Sequence, residues 1–434
     1  MRRREFIVGL GVVALAGIAT KVIVSGSSNA LKTPTGMDWL PFDLLALNAD
    51  GTVTVSKDAA KIMDKISMLP SADAESLAAG AHDPFQIRID NGSGASARSF
   101  IGASNPNQGP FDLSKLTVIR APGPEPKALD WAQGGKFYRA LIPAGSDPRA
   151  VTVSNVLDEY SRPKPLREFA DLEQAGEEGW FFDQKERTLY VSKKLATNVN
   201  ALKDILGIVY RQPGTTTMRV QGGEAYFENL LFLGVLPWVL NASGLVSKAV
   251  FKNCAFWYSP GSGIANEGGY VVLDGCEIYR SRDHGLVSRK SGDTQPKHIV
   301  INTKVRYAGD VDTFGSTRNS QSGLSMNDSG LAVIMGCDIR KSFGPNIVDS
   351  GAGAGSQGIS WWYGVHCEES LGTHPMNFGA QGVRTVWMEH CSEGNTKGTS
   401  VRVAGEGTVL HHANNTVGKF VSDKGGQVLH FSEV

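Results

Sequence analysis

Acidic, basic and imidazole side chains come together in one short stretch of the chain, Arg282-Asp283-His284, with Arg289 a few residues later. Removal of a proton beside a sugar carboxylate needs a base near that proton and a cation that stabilises the carbanion-like state. We therefore predict that His284 is the base and that Arg289 neutralises the carboxylate of a uronate. The predicted catalytic residues are His284, Arg289, Lys290, Asp283 and Asp349.

Glycoside hydrolysis is the alternative chemistry, because it needs two carboxylates flanking the scissile bond. The carboxylates available for such a pair are Asp283, Asp310, Asp312, Asp328 and Asp349. Asp310 and Asp312 also form a D-x-D pair, which is a weak signal for calcium. Calcium therefore stays open as a cofactor, and no other metal site is predicted.

A second set of side chains is predicted to bind the substrate, because its members share one position of a repeated phrase. Aligned by their inward aliphatic residues, four repeats place Glu267, Arg289, Asn327 and Ser350 on one outward row. Tryptophan side chains offer an apolar platform for a sugar ring. The predicted binding residues are Arg282, Glu267, Asn327, Asp328, Arg318, Trp361 and Trp362.

The elements that position these residues repeat along the second half of the chain. The segments 225–232, 249–256 and 271–278 superimpose without gaps, and each alternates apolar and polar residues as a half-buried strand does. The step from Asn229 to Asn253 is 24 residues and the step from Cys254 to Cys276 is 22 residues. A second apolar phrase follows each strand by about ten residues. This periodicity indicates a solenoid with one coil per repeat, and longer insertions after residues 306, 350 and 367 are predicted to wall one region.

The five cysteines recur at this period, and we predict that they all occupy one equivalent position of the coil, as buried free thiols. They are Cys254, Cys276, Cys337, Cys367 and Cys391. Neighbouring coils are poorly oriented for disulfide closure, and a free cysteine packs as a small apolar residue. A metal site is the alternative, although paired C-x-x-C spacing is missing.

The apolar coil phrase with its Asn or Gly-Cys turn resembles the pectate-lyase-like superfamily, over roughly residues 215 to 430. That resemblance implies an all-β fold, a right-handed parallel β-helix, and a family of polysaccharide lyases, hydrolases and epimerases. The chain lacks the D-P-H-D motif of alginate epimerases, the G-H-G motif of polygalacturonases and the W-x-D-H phrase of pectate lyases. The substrate is therefore not carried over from any of these families.

The first half of the chain shows no comparable period. Its stretch 179–191 reads as a hairpin, and it resembles a phrase that precedes the helix in many β-helix carbohydrate enzymes. We predict an export signal over 1–30, an irregular N-terminal capping region with the first coils over 31–215, and the β-helix repeat domain over 216–434. A cap is expected because a solenoid must cover the apolar edge of its end coil.

Charge and the N-terminus restrict the partners and the location. Lys plus Arg and Asp plus Glu both number 43 in the 434 residues, which disfavours nucleic acid as a partner. Arg3-Arg4-Glu5-Phe6 resembles a twin-arginine export motif, with an apolar run after it and a small-x-small sequence at Ser28-Asn29-Ala30. We expect a bacterial periplasmic or secreted protein, which contacts a membrane only if this segment is not cleaved.

These features together predict an exported carbohydrate-active enzyme that cleaves an acidic, uronate-containing polysaccharide by β-elimination. The alternatives on the same fold are a glycoside hydrolase, a uronate epimerase, and a non-catalytic protein that binds polysaccharide or organises the envelope. An acidic polysaccharide is the predicted partner in each case.

Overall fold

The computed structural model describes residues 45–47, 53–55, 74–83, 89–90, 97–108, 112–174, 178–211, 217–241, 247–315, 320–351, 357–373, 375–394 and 397–430. The predicted export signal and Arg318 lie outside these residues. Within the described part of the chain, no helix is both long and apolar enough to cross a membrane.

Three long parallel sheets form the body of the molecule. Sheet 1 contains the strands Ala74–Ser76, Ala97–Ile101, Glu224–Glu228, Lys248–Lys252, Tyr270–Asp274, Lys297–Ile301, Leu331–Met335, Gly358–Tyr363, Arg384–Glu389, Val409–Ala413 and Gln427–His430. Sheet 2 contains Gly80–His82, Thr117–Arg120, Leu230–Leu233, Ala255–Ser259, Glu277–Ser281, Lys304–Ala308, Asp338–Arg340, His366–Glu368 and Ser392–Glu393. Sheet 3 contains Ile89–Asp90, Thr217–Gln221, Leu236–Leu240, Ile264–Glu267, Leu286–Arg289, Leu324–Asn327, Ile347–Ser350, Met376–Gln381, Thr399–Ala404 and Phe420–Asp423.

The chain visits sheets 1, 2 and 3 in turn and then pairs each strand with its equivalent in the next coil. In sheet 1, for example, Val250 pairs with Val272, and Val272 pairs with Ile299. Short strands that stack in this order make a parallel β-helix, so the predicted fold class is confirmed. We call the turn from sheet 2 to sheet 3 the 2–3 corner, and the turn from sheet 3 to the next strand of sheet 1 the 3–1 corner.

The turn from sheet 1 to sheet 2 explains the Asn and Gly of the repeated phrase. Every coil from 229 to 414 places one residue there in the left-handed backbone conformation, including Asn253 (φ 52°), Gly275 (φ 61°) and Asn302 (φ 48°). Glycine and asparagine enter this region at the lowest cost. The repeat that was visible in the sequence is therefore set by one backbone requirement per coil.

The cysteine prediction is confirmed in part. All five cysteines are free and buried, and thiols such as Cys276 donate to the carbonyl of the preceding coil, here Phe251 at 3.2 Å. Cys367, however, does not share the position of the other four. It pairs with Ile339 inside sheet 2, and the register of sheet 1 assigns the equivalent position in its coil to Val365. The 30-residue spacing misled because the insertion in this coil shifted the count.

Stacked side chains fill the interior. Phe100, Phe227 and Phe251 stack along sheet 1 with ring centroids 5.5 and 4.9 Å apart, and Phe232 stacks on Phe256 at 5.0 Å in sheet 2. These separations match the spacing of about 4.8 Å between paired strands. Each coil therefore packs its apolar residues on the same residues of its neighbours.

His298 is an exception within this interior, because it is a titratable side chain with no exposed surface. Its Nδ1 lies 3.4 Å from the amide nitrogen of Asn266, and burial lowers its pKa to about 3. The unfolded chain, with a histidine pKa of about 6.5, therefore binds a proton first as the pH falls. The stability contributed by the neutral His298 is lost progressively as the pH falls from about 6.5 towards 3.

We expect His298→Leu to resist acid better than the wild type. At pH 4 the variant should avoid a loss of about 3 kcal/mol that the buried imidazole causes relative to neutral pH, so its acid unfolding midpoint should shift to lower pH. Circular dichroism along an acid titration measures this midpoint. His430→Leu, at an exposed histidine, is the control and should behave as the wild type. An unchanged midpoint in His298→Leu would contradict the assignment.

The β-helix begins earlier in the chain than the predicted boundary at residue 216. Strands of 74–120 pair in parallel with coils that follow residue 217, for example Phe100 with Phe227 and Ile119 with Phe232. They complete the first coils across a long insertion over 121–211. The boundary was misplaced because two or three coils are too few to show a period.

The insertion over 121–211, which we call the module, has its own antiparallel sheets and core. Its strands are Trp131–Gly134, Phe137–Leu141, Asp147–Leu157, Pro163–Pro165, Arg167–Glu168, Gly179–Asp183, Thr188–Ser192 and Leu206–Arg211, and its helix is Val199–Ile205. The predicted hairpin over 179–191 is confirmed, since Trp180 pairs with Val191 in antiparallel register. A separate antiparallel pair joins Leu45–Leu47 and Val53–Val55.

The module packs against the outward face of sheet 2, along several coils, so it lies on the flank of the helix. Arg162 of the module donates to Glu277 at 2.9 Å, and the indole of Trp257 donates to the same carboxylate. Tyr258 donates its hydroxyl hydrogen to the carbonyl of Pro163 at 2.7 Å. These buried polar contacts fix the module relative to the 2–3 corner.

Candidate functional site

The 2–3 corner carries Arg282, Asp283 and His284, together with an insertion over 309–323 from the next coil. This insertion begins with a short helix, Val311–Phe314. Asp310 caps the helix through the amides of Asp312 and Thr313, and its carboxylate also pairs with Arg280. Because Asp310 is fully buried and committed to these partners, the predicted calcium role of the Asp310 and Asp312 pair gains no support from the geometry.

His284 lies beside this insertion, as the predicted wall requires. The amide N–H of Ser322 donates to His284 Nδ1 at 3.0 Å. A backbone amide can only donate, so Nδ1 is the unprotonated nitrogen and the neutral ring carries its proton on Nε2. Protonation at Nδ1 would break this hydrogen bond. The geometry therefore disfavours His284 as the proton acceptor and corrects its predicted role as the base.

The structure does not bring His284 and Arg289 together. The strand Leu286–Arg289 crosses sheet 3 between them, and five extended residues span about 16 Å at roughly 3.3 Å per residue. Arg289 and Lys290 are exposed at the 3–1 corner, whereas Arg282, Asp283 and His284 are half-buried at the 2–3 corner. The predicted catalytic set is thus divided between two edges of one sheet.

The predicted outward row of sheet 3 is confirmed as a row. Glu267 pairs with Arg289, and Asn327 pairs with Ser350. The intervening strands pair Leu286 with Leu324, which places Arg289 beside Asn327. Asp328 follows this row at a left-handed backbone position (φ 54°). The row lies along the 3–1 edge of the outer face of sheet 3.

Asp349 is not a surface residue, which corrects its prediction as a catalytic group. It points into the helix, with no exposed surface, and its Oδ1 lies 2.6 Å from Nη2 of the equally buried Arg384. Ser360 donates its hydroxyl hydrogen to the other carboxylate oxygen. Inward and outward side chains alternate along a strand, and the residue before the outward Ser350 is necessarily inward. Asp349 is therefore part of a buried ion pair.

The two tryptophans lie on sheet 1 and do not border the row on sheet 3. Trp362 points inward, is 1% exposed and packs near Phe378, so its prediction as a sugar platform was wrong. Trp361 faces outward but is only 5% exposed. Arg318, which was also predicted to bind substrate, lies outside the described residues.

A cluster that the sequence did not reveal lies where the module meets the 2–3 corner. Glu168, in the module strand Arg167–Glu168, lies against the insertion: a Cβ added to Gly315 would stand 3.7 Å from the Glu168 Cγ. Arg149 of the module and Arg282 of the corner are both close enough to act on the charge of this carboxyl. We call Arg149, Glu168 and Arg282 the corner triad.

The corner triad combines a carboxyl of altered acidity with two cations. Burial raises the pKa of Glu168 to about 7, although Arg149 and Arg282 pull it down. Burial also lowers the pKa of the Arg149 guanidinium. Within the described part of the chain, no salt bridge of 4.0 Å or less joins these three side chains to an opposite charge, and Arg149 Nε is buried without a hydrogen-bond partner. The triad is therefore arranged around a space that an anionic group can enter.

Other contacts hold the two halves of the triad at fixed positions. Asp147, the acidic neighbour of Arg149, pairs with Arg187 within the module. Arg280, two residues before Arg282, is buried between Asp158 of the module and Asp310 of the insertion. Preorganised charges of this kind favour recognition of a group of opposite charge. The sequence gave no sign of it, because Arg149 and Arg282 are 133 residues apart.

The chain matches no protein-family model and no curated protein. Among solved structures it is similar to one described as the complex of XylC with xylose, at 8% identity and a TM-score of 0.42, covering 75% of this chain and 64% of that chain. A structure described as a glycoside hydrolase gives 10% identity, a TM-score of 0.45 and coverage of 82% and 89%. The tailspike protein gp49 from Pseudomonas phage LKA1 gives 11%, 0.25, 83% and 67%. The chain thus spans less than two thirds of the XylC chain.

Proposed function

We propose that this protein is a carbohydrate-active β-helix enzyme that cleaves a uronate-containing polysaccharide by β-elimination. The observation that carries the proposal is the corner triad, in which one carboxyl with a pKa of about 7 lies between two guanidinium groups. A general base is most effective when its pKa lies near the working pH. Two cations beside it suit a substrate whose reacting carbon bears a carboxylate.

In the proposed reaction, Arg149 and Arg282 bind the uronate carboxylate and stabilise the enolate-like state that forms when the C5 proton leaves. Glu168 takes that proton. The C4–O bond then breaks, a C4–C5 double bond forms, and the protonated Glu168 returns its proton to the leaving oxygen. The carboxyl is thereby regenerated without another reactant.

The composition of the triad favours elimination over hydrolysis. Hydrolysis uses two carboxylates across the glycosidic bond, whereas the triad offers one carboxyl and two cations. Asp349, which was a predicted partner for such a pair, is buried with Arg384. The pectate-lyase-like resemblance of the coil phrase agrees with this reaction class, and the predicted export signal agrees with a substrate outside the cytoplasm.

Arg282→Gln tests the proposal on a panel of acidic and neutral polysaccharides, with the absorbance of unsaturated uronates as the readout. We expect elimination on an acidic polymer by the wild type, and a kcat/KM at least about tenfold lower in the variant, the scale of one lost charge-assisted hydrogen bond. Arg139→Gln, at an exposed arginine of the module, is the matched control. Equal kcat/KM values for Arg282→Gln and the wild type would refute the role of the triad, and the absence of elimination on every polymer would favour the binding alternative.

A further inference from the structure

Charge is distributed unevenly along the outer face of sheet 3. The outward row at its 3–1 edge runs, one residue per coil, through Glu267, Arg289, Asn327, Ser350 and Gln381. Arg289 is the one cation among these five residues. The three coils that follow it offer two amides and a hydroxyl, and the coil before it offers a carboxylate.

The cation of this row belongs to the same coil as Arg282. Arg282 stands at the 2–3 edge, within the corner triad, and Arg289 stands at the 3–1 edge with Lys290 next to it. One coil therefore presents cationic side chains from both edges of sheet 3. Asp328, in the next coil, adds a carboxylate beyond the row.

Small and apolar side chains form the floor between the two edges. This central outward row consists of Ala265, Val287, Ser325, Val348 and Gly379. Gly379 leaves room for the side chain of Met376, since an added Cβ would stand 2.6 Å from the Met376 Cε. A floor of this kind is smooth along the helix axis and offers no charge to a ligand that lies on it.

A polysaccharide on this floor would advance by about one sugar residue per coil, because neighbouring coils are about 4.8 Å apart and an extended pyranose chain has a similar rise. One sugar would then lie between Arg282 and Arg289. Its neighbours would meet Asn327 and Ser350 on one side and Glu267 on the other. A homopolyuronate would place carboxylates at these flanking positions, where each loses hydration without gaining a cation.

We infer that the substrate is a heteropolysaccharide in which each uronate is flanked by neutral sugars. This inference rests on the proposed function, because it assigns the substrate class of the same site. The amides and the hydroxyl of the flanking coils would hydrogen-bond sugar hydroxyls, and the charges of the central coil would recognise the single carboxylate.

Binding to the catalytically disabled Glu168→Gln variant tests the inference apart from the reaction. Isothermal titration calorimetry compares a homo-oligouronate with hetero-oligosaccharides of equal length that carry one uronate between neutral hexoses. We expect the Kd to be at least about tenfold lower for a hetero-oligosaccharide, the scale of one unpaired carboxylate. A homo-oligouronate that binds equally well or better would overturn the inference, and so would the absence of binding in both classes.

The double change Asn327→Lys and Ser350→Lys should reverse the preference. Two added cations on the row should lower the Kd for the homo-oligouronate about tenfold and leave the hetero-oligosaccharide nearly unchanged. Ser154→Lys with Asn155→Lys, at exposed positions of the module, supplies the same charge elsewhere and should change neither. A preference that stays as in the parent would count against the row as the determinant. Elimination assays remain separate: retained binding preference with no elimination by the wild type would refute only the proposed reaction.

Discussion

Glu168→Gln should reduce the rate of uronate elimination by at least about 10²-fold, the lower end of what a positioned general acid or base contributes. The amide has nearly the size and shape of the carboxyl but cannot accept the C5 proton. Because Arg149 and Arg282 remain, affinity for an oligosaccharide should change little, and the loss should appear in kcat. Glu186→Gln, at an exposed turn of the same module, should keep the wild-type rate.

The same variant tests the raised pKa through stability. Burial raises the pKa of Glu168 from 4.5 to about 7, so the folded protein holds this proton more tightly than the unfolded chain does. Stability therefore falls as the pH rises from about 4.5 to about 7, and Gln removes this loss. We expect Glu168→Gln to be more stable than the wild type at pH 8 and similar at pH 4. Equal stability at pH 8 would show that the carboxyl is not buried in this way.

Asp349→Ala should destabilise the fold by about 3 to 5 kcal/mol, because it leaves the Arg384 guanidinium buried and unpaired. Arg384 also donates to the carbonyl of Ser329, so it is held in place and cannot turn to solvent without disrupting its coil. Denaturant unfolding of the purified variant measures the change. Any loss of activity in Asp349→Ala should follow the loss of folded protein.

A rescue and a control distinguish the buried pair from a general defect. Asp349→Leu with Arg384→Met should regain most of the lost stability, since apolar residues of similar size often replace a buried ion pair at little cost. Asp423→Asn breaks the pair with Arg402, whose side chains are 42% and 33% exposed, and should cost less than about 1 kcal/mol. If Asp349→Ala were as mild as Asp423→Asn, the pair would not be buried as described.

The sequence predicted the solenoid well, because each coil repeats the same local requirements. A left-handed turn residue such as Asn253, an inward aliphatic such as Ile264 and strand alternation recur every coil. The prediction failed where the count shifted, as at Cys367, and where the coils were too few to repeat, as before residue 121. Periodicity identifies equivalent positions only while the coil length stays constant.

The site was less predictable, because its residues come from segments that share no repeat. The row of Glu267 and Arg289 followed from register, whereas Arg149 and Glu168 reach the 2–3 corner only because the module folds back on sheet 2. Nothing local marks Glu168 as unusual, since its pKa depends on burial by a remote insertion. Conversely, the inward direction of Asp349 was deducible from alternation.

Mass spectrometry of the products from an acidic heteropolysaccharide, treated in parallel with the wild type and with Glu168→Gln, tests the central claim most directly. β-Elimination yields oligosaccharides that are one water lighter than hydrolysis products and end in an unsaturated uronate. The account predicts such products from the wild type and almost none from the variant. Products of hydrolytic mass, or unsaturated products that form equally well with Glu168→Gln, would contradict it.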